Sequence, residues 1–528
     1  MSSLIDSTSS IPYGDDDGSD NNKVTPKLRI DPVAVSINLR PRQTAAAKEH
    51  FEATTPKFEV TKFKIVSTLA KKRWIQFALI VPNQLIFWLV IFSGLFGTLD
   101  PGLNFATAIT WYIWFAIVFV LMVVVGRAWC SMCPFGGFGE WIQRKTFFQR
   151  TQKSLGLGKK YPQKLAAYGL ISSAVSFIVL TFLEEFFNIA GPGTPADTAF
   201  MVLGIVLFAT SSFLIFERRT FCRYLCPLSG LIGSIGAIGA AAGFRTKDRD
   251  VCYSCESKAC MRGGEEGYGC PWYTWPGSAE SNSLCGLCTE CYKACPSSNV
   301  GLFVQPPLTS VIAPSRKRMD IAVVSAMLLG LVVFQQVNAL NIYTSLDNFL
   351  NSHTPFGHYP NVLDYVGLIA LFALVPAALF KVGAVAFSNI TVKADKDLPF
   401  LERHSAFRNF FMVGMYGMIP TIGADYFARQ LPKFFNHATR IVPAVIHPFG
   451  GTNKFLYNYS MLGTHGIITV QLIIMAVGVA ASVYTTYKIA RREIASSNRN
   501  MATLYLVSAT LIMGIAVALL YIPMQAAN

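Results

Sequence analysis

The chain has 528 residues, 52% of them hydrophobic and only 14% charged, against about 25% charged in an ordinary soluble domain. That balance excludes a wholly water-soluble protein and points to a polytopic membrane protein. The net charge of +15 does not mark a nucleic-acid binder, because Lys and Arg collect in short loops between apolar stretches, as cytoplasmic membrane loops do.

Residues 1–50 are rich in Ser, Asp, Asn and Pro, with an acidic patch at Asp15, Asp16 and Asp17. This composition predicts a disordered tail, and no basic start leads into an apolar run, so it is not a secretory signal. Lys57, Lys62, Lys64, Lys71, Lys72 and Arg73 then end a cytoplasmic N-terminal segment, 1–73. A membrane span needs about 20 apolar residues. Nine stretches qualify: 74–97, 105–125, 167–190, 198–216, 320–340, 362–388, 407–428, 462–487 and 501–523. The expected fold is therefore an all-α polytopic membrane protein with about nine transmembrane helices. Four form a core over 74–244 and five a C-terminal region over 306–528, with an inserted ferredoxin-like segment at 245–305.

The loop 126–166 carries eight basic residues against one acid, Glu140, whereas 98–104 and 191–197 hold Asp100 and Asp197 and no basic residue. Basic clusters recur at Arg218, Arg219 and Arg223, at Arg316, Lys317 and Arg318, and at Lys488, Arg491 and Arg492. This alternation predicts a multi-pass plasma or inner membrane protein with its N-terminus and inserted segment cytoplasmic and its C-terminus outside. The Gly-rich stretch 228–243 is apolar but short, and reads as re-entrant or packed on the bundle.

Two stretches repeat each other weakly. GRAWCSMCPFGGFGEW (126–141) and RRTFCRYLCPLSGLIGS (218–234) each run from a basic residue through an aromatic to a Cys pair, a Pro and a Gly. Both follow a span directed inward. The pairs Cys130/Cys133 and Cys222/Cys226 should therefore lie near each other at the cytoplasmic face. They are either helix-end thiols with Pro as a stop or a further metal or cluster site. In the second case Arg127 and Arg223 would lower the thiol pKa values.

The densest motif follows. Cys285, Cys288, Cys291, Cys295 and Pro296 form C-x2-C-x2-C-x3-C-P, the bacterial ferredoxin run for a 4Fe–4S cluster. Cys252, Cys255, Cys260, Cys270 and Pro271 make a stretched version. Eight thiolates serve two cubanes, and thiolate is the soft ligand such clusters select. Zinc takes C-x2-C pairs too, but a zinc ribbon does not require a Cys triple or a Cys-Pro at the end of each half. In two-cluster ferredoxins the fourth Cys of each run ligates the other cluster. That exchange groups Cys252, Cys255, Cys260 and Cys295, and separately Cys270, Cys285, Cys288 and Cys291.

Two Cys-Pro pairs at span ends followed by a double ferredoxin segment resemble the NapH/NosR/CcoG-like membrane polyferredoxin family. The resemblance covers about 74–305. It implies a protein that moves electrons between the quinone pool and a partner reductase, or one that assembles metal enzymes. The chain departs from that family in its first pair, C-x2-C-P where C-x3-C-P is common. No covalent-flavin domain or β-sandwich tail is evident, and the spans after 320 are unaccounted for.

Charge inside a span is costly and functional by default. Glu184 and Glu185, in the third span, are candidate proton acceptors beside a quinol, or else an interfacial acidic pair. Lys381 and Asp425 are lesser candidates. His353, His358, His437, His447 and His465 fall on the outer side, and only His465 reaches a span. A b-type haem needs two facing His, so haem is not expected; His465 stays a weak metal candidate, and His404 has no assigned role. Trp111, Trp114 and Trp129 read as interface anchors.

The leading expectation is an iron–sulfur electron-transfer protein, with two 4Fe–4S clusters, that exchanges electrons between membrane quinone and partner redox subunits in a hetero-oligomeric complex. No Gly-rich nucleotide loop suggests direct use of NAD. The alternative is an assembly or copper-handling factor for another membrane enzyme.

Overall fold

The computed structural model describes residues 56–147, 155–187, 189, 195–314, 317–353, 360–387, 406–451, 453–494 and 499–522. The acidic tail, Arg316, His358 and His404 lie outside the described residues. The rest is mostly helical.

Seven helices are long and apolar enough, by length and composition, to cross a membrane, which suggests a multi-pass membrane protein. They include α2 (Trp74–Phe96), the helical run Phe105–Arg144 that contains α3 (Phe115–Val125, entered through the wide π-helical turns of Ala108–Trp114), α6 (Pro195–Ile215) and α8 (Met319–Val337). The others are α9 (Pro360–Ala386), α11 (Thr464–Glu493) and α12 (Arg499–Leu519). Exposed Leu85, Phe92, Leu207, Ile473 and Ile512 on these helices make a surface suited to lipid.

Two of the nine expected spans do not meet the same criterion. Helix α5 (Ile171–Phe186) has 16 residues, short for a crossing of about 20. Helix α10 (Ala406–His437) has 32 residues but carries Arg408, Asp425, Arg429 and Lys433. Helix α7 (Pro227–Ile235) is buried along its length and has nine residues, so 228–243 does not cross as a helix.

The stretch 126–166, expected as a loop, is structured at its start. Trp129–Met132 is a helical turn, and α4 (Pro134–Arg144) follows at once. Pro134 and Pro227 each occupy the first turn of a helix, where a missing N–H costs nothing. The preceding residues match as well: Cys133 has φ −66°, ψ 126° and Cys226 has φ −61°, ψ 123°. The prolines thus open helices; a stop was one of the two readings the sequence offered.

The segment beyond α7 is anchored by a three-stranded antiparallel sheet, β1 (Phe58–Glu59), β2 (Ala241–Thr246) and β3 (Val300–Val304), in the order β1-β3-β2. An amphipathic helix, α1 (Lys64–Lys71), follows β1, and its Ser67 hydroxyl meets Tyr292 Oη at 2.9 Å. The sheet therefore ties both ends of the Cys-rich segment to the chain that enters the bundle.

Candidate functional site

The two Cys-Pro units face each other through a reciprocal exchange of buried arginines. Arg127 precedes Cys130 by three residues, and Arg219 precedes Cys222 by three. Arg127 Nη2 donates to Ser229 Oγ at 2.7 Å, on the helix after Cys226. Arg219 reaches the other way: Nη1 donates to the Cys130 carbonyl at 2.8 Å, and Nη2 meets Glu140 Oε2 at 2.6 Å on the helix after Cys133. Each guanidinium is only 1% exposed. A Cβ at Gly136 would stand 3.3 Å from Cys222 Sγ, so a residue without a side chain lets the first unit approach the second unit's thiol. The charges of Cys130 and Cys133 act on both Cys222 and Cys226, so the four thiols form one group.

The expected role of Arg127 and Arg223 in lowering thiol pKa values needs correction. Burial pushes Cys226 up to about 12 and Cys222 well above its ordinary value. Arg219 opposes the rise at Cys222 and Arg127 opposes it weakly at Cys226. Arg223 instead donates to the Trp272 carbonyl at 2.5 Å and lies by the Tyr224 and Tyr273 rings. Arg219, not Arg223, is the counterpart of Arg127.

In the Cys-rich segment Cys252, Cys260, Cys270, Cys288 and Cys291 pack in one buried cluster. The charges of Cys252, Cys295, Cys270 and Cys255 act on Cys260, and those of Cys270, Cys288, Cys285 and Cys260 act on Cys291. Cys255 and Cys295 are half-buried, whereas Cys252, Cys260, Cys270, Cys288 and Cys291 are buried.

Polar donors are aimed at the sulfurs. Phe244 N–H donates to Cys285 Sγ at 3.4 Å and Thr274 N–H to Cys270 Sγ at 3.3 Å, while Asn299 Nδ2 donates to Cys252 Sγ at 3.4 Å. The first depends on a bulge in β2 between Ala241 and Gly243, where Gly243 takes φ +86°. Burial raises the Cys260, Cys270, Cys285, Cys288 and Cys291 thiols. Such thiols ionise at neutral pH when a metal group takes up their charge. Among the described residues no three His, Cys, Asp or Glu converge on a point that could hold a single ion. A cubane sets its thiolates at the corners of a cube, farther apart than the roughly 3.8 Å of a tetrahedral Zn–S site. The donor set and the N–H···S bonds fit iron–sulfur clusters.

Trp272 and Arg219 link the helix-end thiols to this segment. Trp272 is 1% exposed, Arg127 Cζ stands 4.4 Å from its ring centroid, and Arg127 Nη1 donates to the Ser283 carbonyl at 2.6 Å. The Arg219 charge is felt by both Cys222 and Cys288.

Above the four helix-end thiols lies a cavity of about 350 Å³. Its wall includes Cys130, Cys133, Cys222, Cys226 and Trp272, and also Glu184, Arg429 and Lys433. Ser173 donates to the Cys226 carbonyl at 2.6 Å. Glu184 lies eleven residues further along α5, so the cavity extends about 16 Å from the thiols. Trp111, Trp114 and Trp129 line it as well, and Trp111 and Trp129 are buried. They are cavity wall, where the sequence suggested membrane-interface anchors.

The remaining candidates do not share this wall. Glu185 is held by Asn338 Nδ2. Lys381 and His465 are exposed, and among the described residues His465 belongs to no group of three or more His, Cys, Asp or Glu that could hold a metal ion. Asp425 is fully buried, accepting from Gln336 Nε2 at 2.7 Å and Tyr521 Oη at 2.6 Å. Sequence reasoning passed over Arg219, Trp272, Arg429 and Lys433. Two signals were available: the alignment of Arg127 with Arg219 in the repeat, and the i, i+3, i+4, i+7 spacing of Tyr426, Arg429, Gln430 and Lys433.

Residues 107–154 and 198–240 match the family described as 4Fe-4S binding domain. The matched stretches hold Cys130/Cys133 and Cys222/Cys226, one pair each, and together fall well short of half the chain. No curated protein and no solved structure matches the chain. The family match supports an iron–sulfur protein.

Proposed function

We propose that this protein is a membrane-embedded iron–sulfur electron carrier that exchanges electrons between a quinone or quinol in the cavity and a partner redox protein. The observation that carries the reading is the shared cavity wall, where four helix-end thiols and Trp272 stand at one end and Glu184 at the other.

Three sets of thiols are assigned: Cys130, Cys133, Cys222 and Cys226; Cys270, Cys285, Cys288 and Cys291; and Cys252, Cys255, Cys260 and Cys295. Bound iron–sulfur clusters would supply one-electron exchange. The chain's own residues set the path. The apolar wall admits the ring and excludes water, and Glu184 takes or returns the quinol proton. Arg127 and Arg219 balance thiolate charge, and the half-buried Cys255 and Cys295 leave the last set open to a partner. The Lys- and Arg-rich face is assigned to the cytoplasm. Helices α5 and α10 are assigned as the remaining two of nine crossings.

The test is anaerobic purification followed by an iron and acid-labile sulfide count, and by addition of decylubiquinol or a menaquinol analogue. Low-temperature EPR signals that grow on quinol addition support the reading. Iron and sulfide at background level, or clusters that dithionite reduces and no quinol does, would overturn it.

A further inference from the structure

We propose that Arg429 and Lys433, with Glu184, form the headgroup end of the cavity and hold a ring oxygen of the quinone or quinol. The inference rests on the quinone reading above and names how that ligand is recognised.

Tyr426, Arg429, Gln430 and Lys433 all line the cavity, and their spacing puts them on one face of α10. Arg429 Nη1 is buried and meets no hydrogen-bond partner among the described residues. Arg429 as a whole is half-buried, but leaving its buried Nη1 donor unpaired is costly unless a ligand oxygen occupies it. Lys433 Nζ lies 5.6 Å from the Trp111 ring centroid, and Trp111 is fixed by its Nε1 donating to Thr198 Oγ1 at 3.0 Å. The charges that act on Glu184 are those of Lys433 and Arg429. Gln335 and Thr181 add polar groups to the same wall, which is mostly aromatic and aliphatic. An apolar slot closed at one end by two cations and a carboxylate suits a flat apolar ring with an oxygen that becomes negative.

The chemistry of quinol oxidation has that requirement. The quinol loses two electrons and two protons as its two C–O bonds become carbonyls. When a hydroxyl proton passes to Glu184, negative charge is left on the ring oxygen. Arg429 and Lys433 stabilise it in a site from which water is excluded. The electrons leave one at a time toward the thiol end, to the iron–sulfur groups assigned there, and the protons leave by Glu184. Quinone reduction is the same sequence reversed. Asp425 lies one turn before Arg429 on α10 and, held by Gln336 and Tyr521, positions that turn.

The test is binding of heptyl-hydroxyquinoline N-oxide, an anionic and redox-inert quinol analogue, to the full-length holoprotein. R429Q and K433Q should each weaken binding at least tenfold, and R429K, which keeps the charge, should weaken it less. Dithionite-reduced EPR spectra should match the wild type in all three, showing that the clusters and fold persist. Wild-type affinity in R429Q and K433Q would overturn the proposal and leave the quinone reading standing. A wild type that neither binds the analogue nor takes electrons from quinol would overturn both. Native mass spectrometry adds an arm: a co-purified phospholipid lost from R429Q, with analogue affinity unchanged, would make these cations a lipid-phosphate site and overturn the proposal.

Discussion

Glu140 and Arg219 are 79 positions apart in the chain, and both are almost wholly buried. Arg144 also bonds Glu140, Nη2 to Oε1 at 2.5 Å. Removing one partner from such a set leaves an uncompensated buried charge, a cost of about 3–5 kcal/mol. Glu140→Gln should therefore lower the unfolding temperature in detergent, and the cluster proposed at the helix-end thiols should be lost before those proposed for Cys252–Cys295, as followed by EPR and iron count. A second residue gives a pH dependence. Burial lowers the Lys317 pKa to about 8, against the opposing pull of Glu493. Between about 8 and 10.5 the unfolded chain holds this proton and the folded chain does not, so stability rises with pH across that window. The stability difference between wild type and Lys317→Met should shift toward the wild type as pH rises from 8 to 10. A flat difference in paired melting curves would contradict it.

At the scale of elements, the bulged strand β2 aims a backbone donor at a sulfur. Gly243 has φ +86°, and a Cβ there would sit 3.0 Å from Cys285 Cβ and Sγ. An alanine at such a site is strained by more than about 1 kcal/mol, and its side chain would push the Phe244 N–H away from Cys285. Hydrogen bonds to sulfur are one determinant of cluster potential, and their loss favours the oxidised state. Gly243→Ala should lower the midpoint potential of the cluster proposed on Cys285 in a redox titration, with the other signals unmoved. The Cys-Pro helices α4 and α7 make a second device. Each carries its thiol at the helix N-terminus, where free N–H groups point outward, so burial raises the Cys133 and Cys226 thiols while the backbone at Phe135, Gly136 and Leu228 opposes the rise.

For the whole molecule, thiols of the cavity wall and of the Cys-rich segment share one buried core. Cys222, Trp272, Cys270, Cys288, Cys291, Cys260 and Cys252 belong to one contiguous buried cluster. If all three sets carry 4Fe–4S clusters, iron should approach about twelve per chain. The double variant Cys130→Ser, Cys222→Ser should lose about four of these and keep dithionite-reducible signals, yet fail to take electrons from quinol. Retention of quinol-driven reduction in that variant would remove the helix-end thiols from the path.

Much of this was readable from residues in order. Apolar runs marked the seven long helices because a membrane crossing demands a length, and the Cys-Pro pairs fall in the two stretches that match a 4Fe-4S binding domain. The weak repeat announced two Cys-Pro units. Tertiary structure alone decided the rest. Arg219 finds Glu140, and Arg429 and Lys433 reach the same cavity as Glu184, only once separate helices have rotated particular faces toward one another. Such rotations are set by packing between distant parts of the chain, and burial then decides which charges stay paired and which are left facing a ligand.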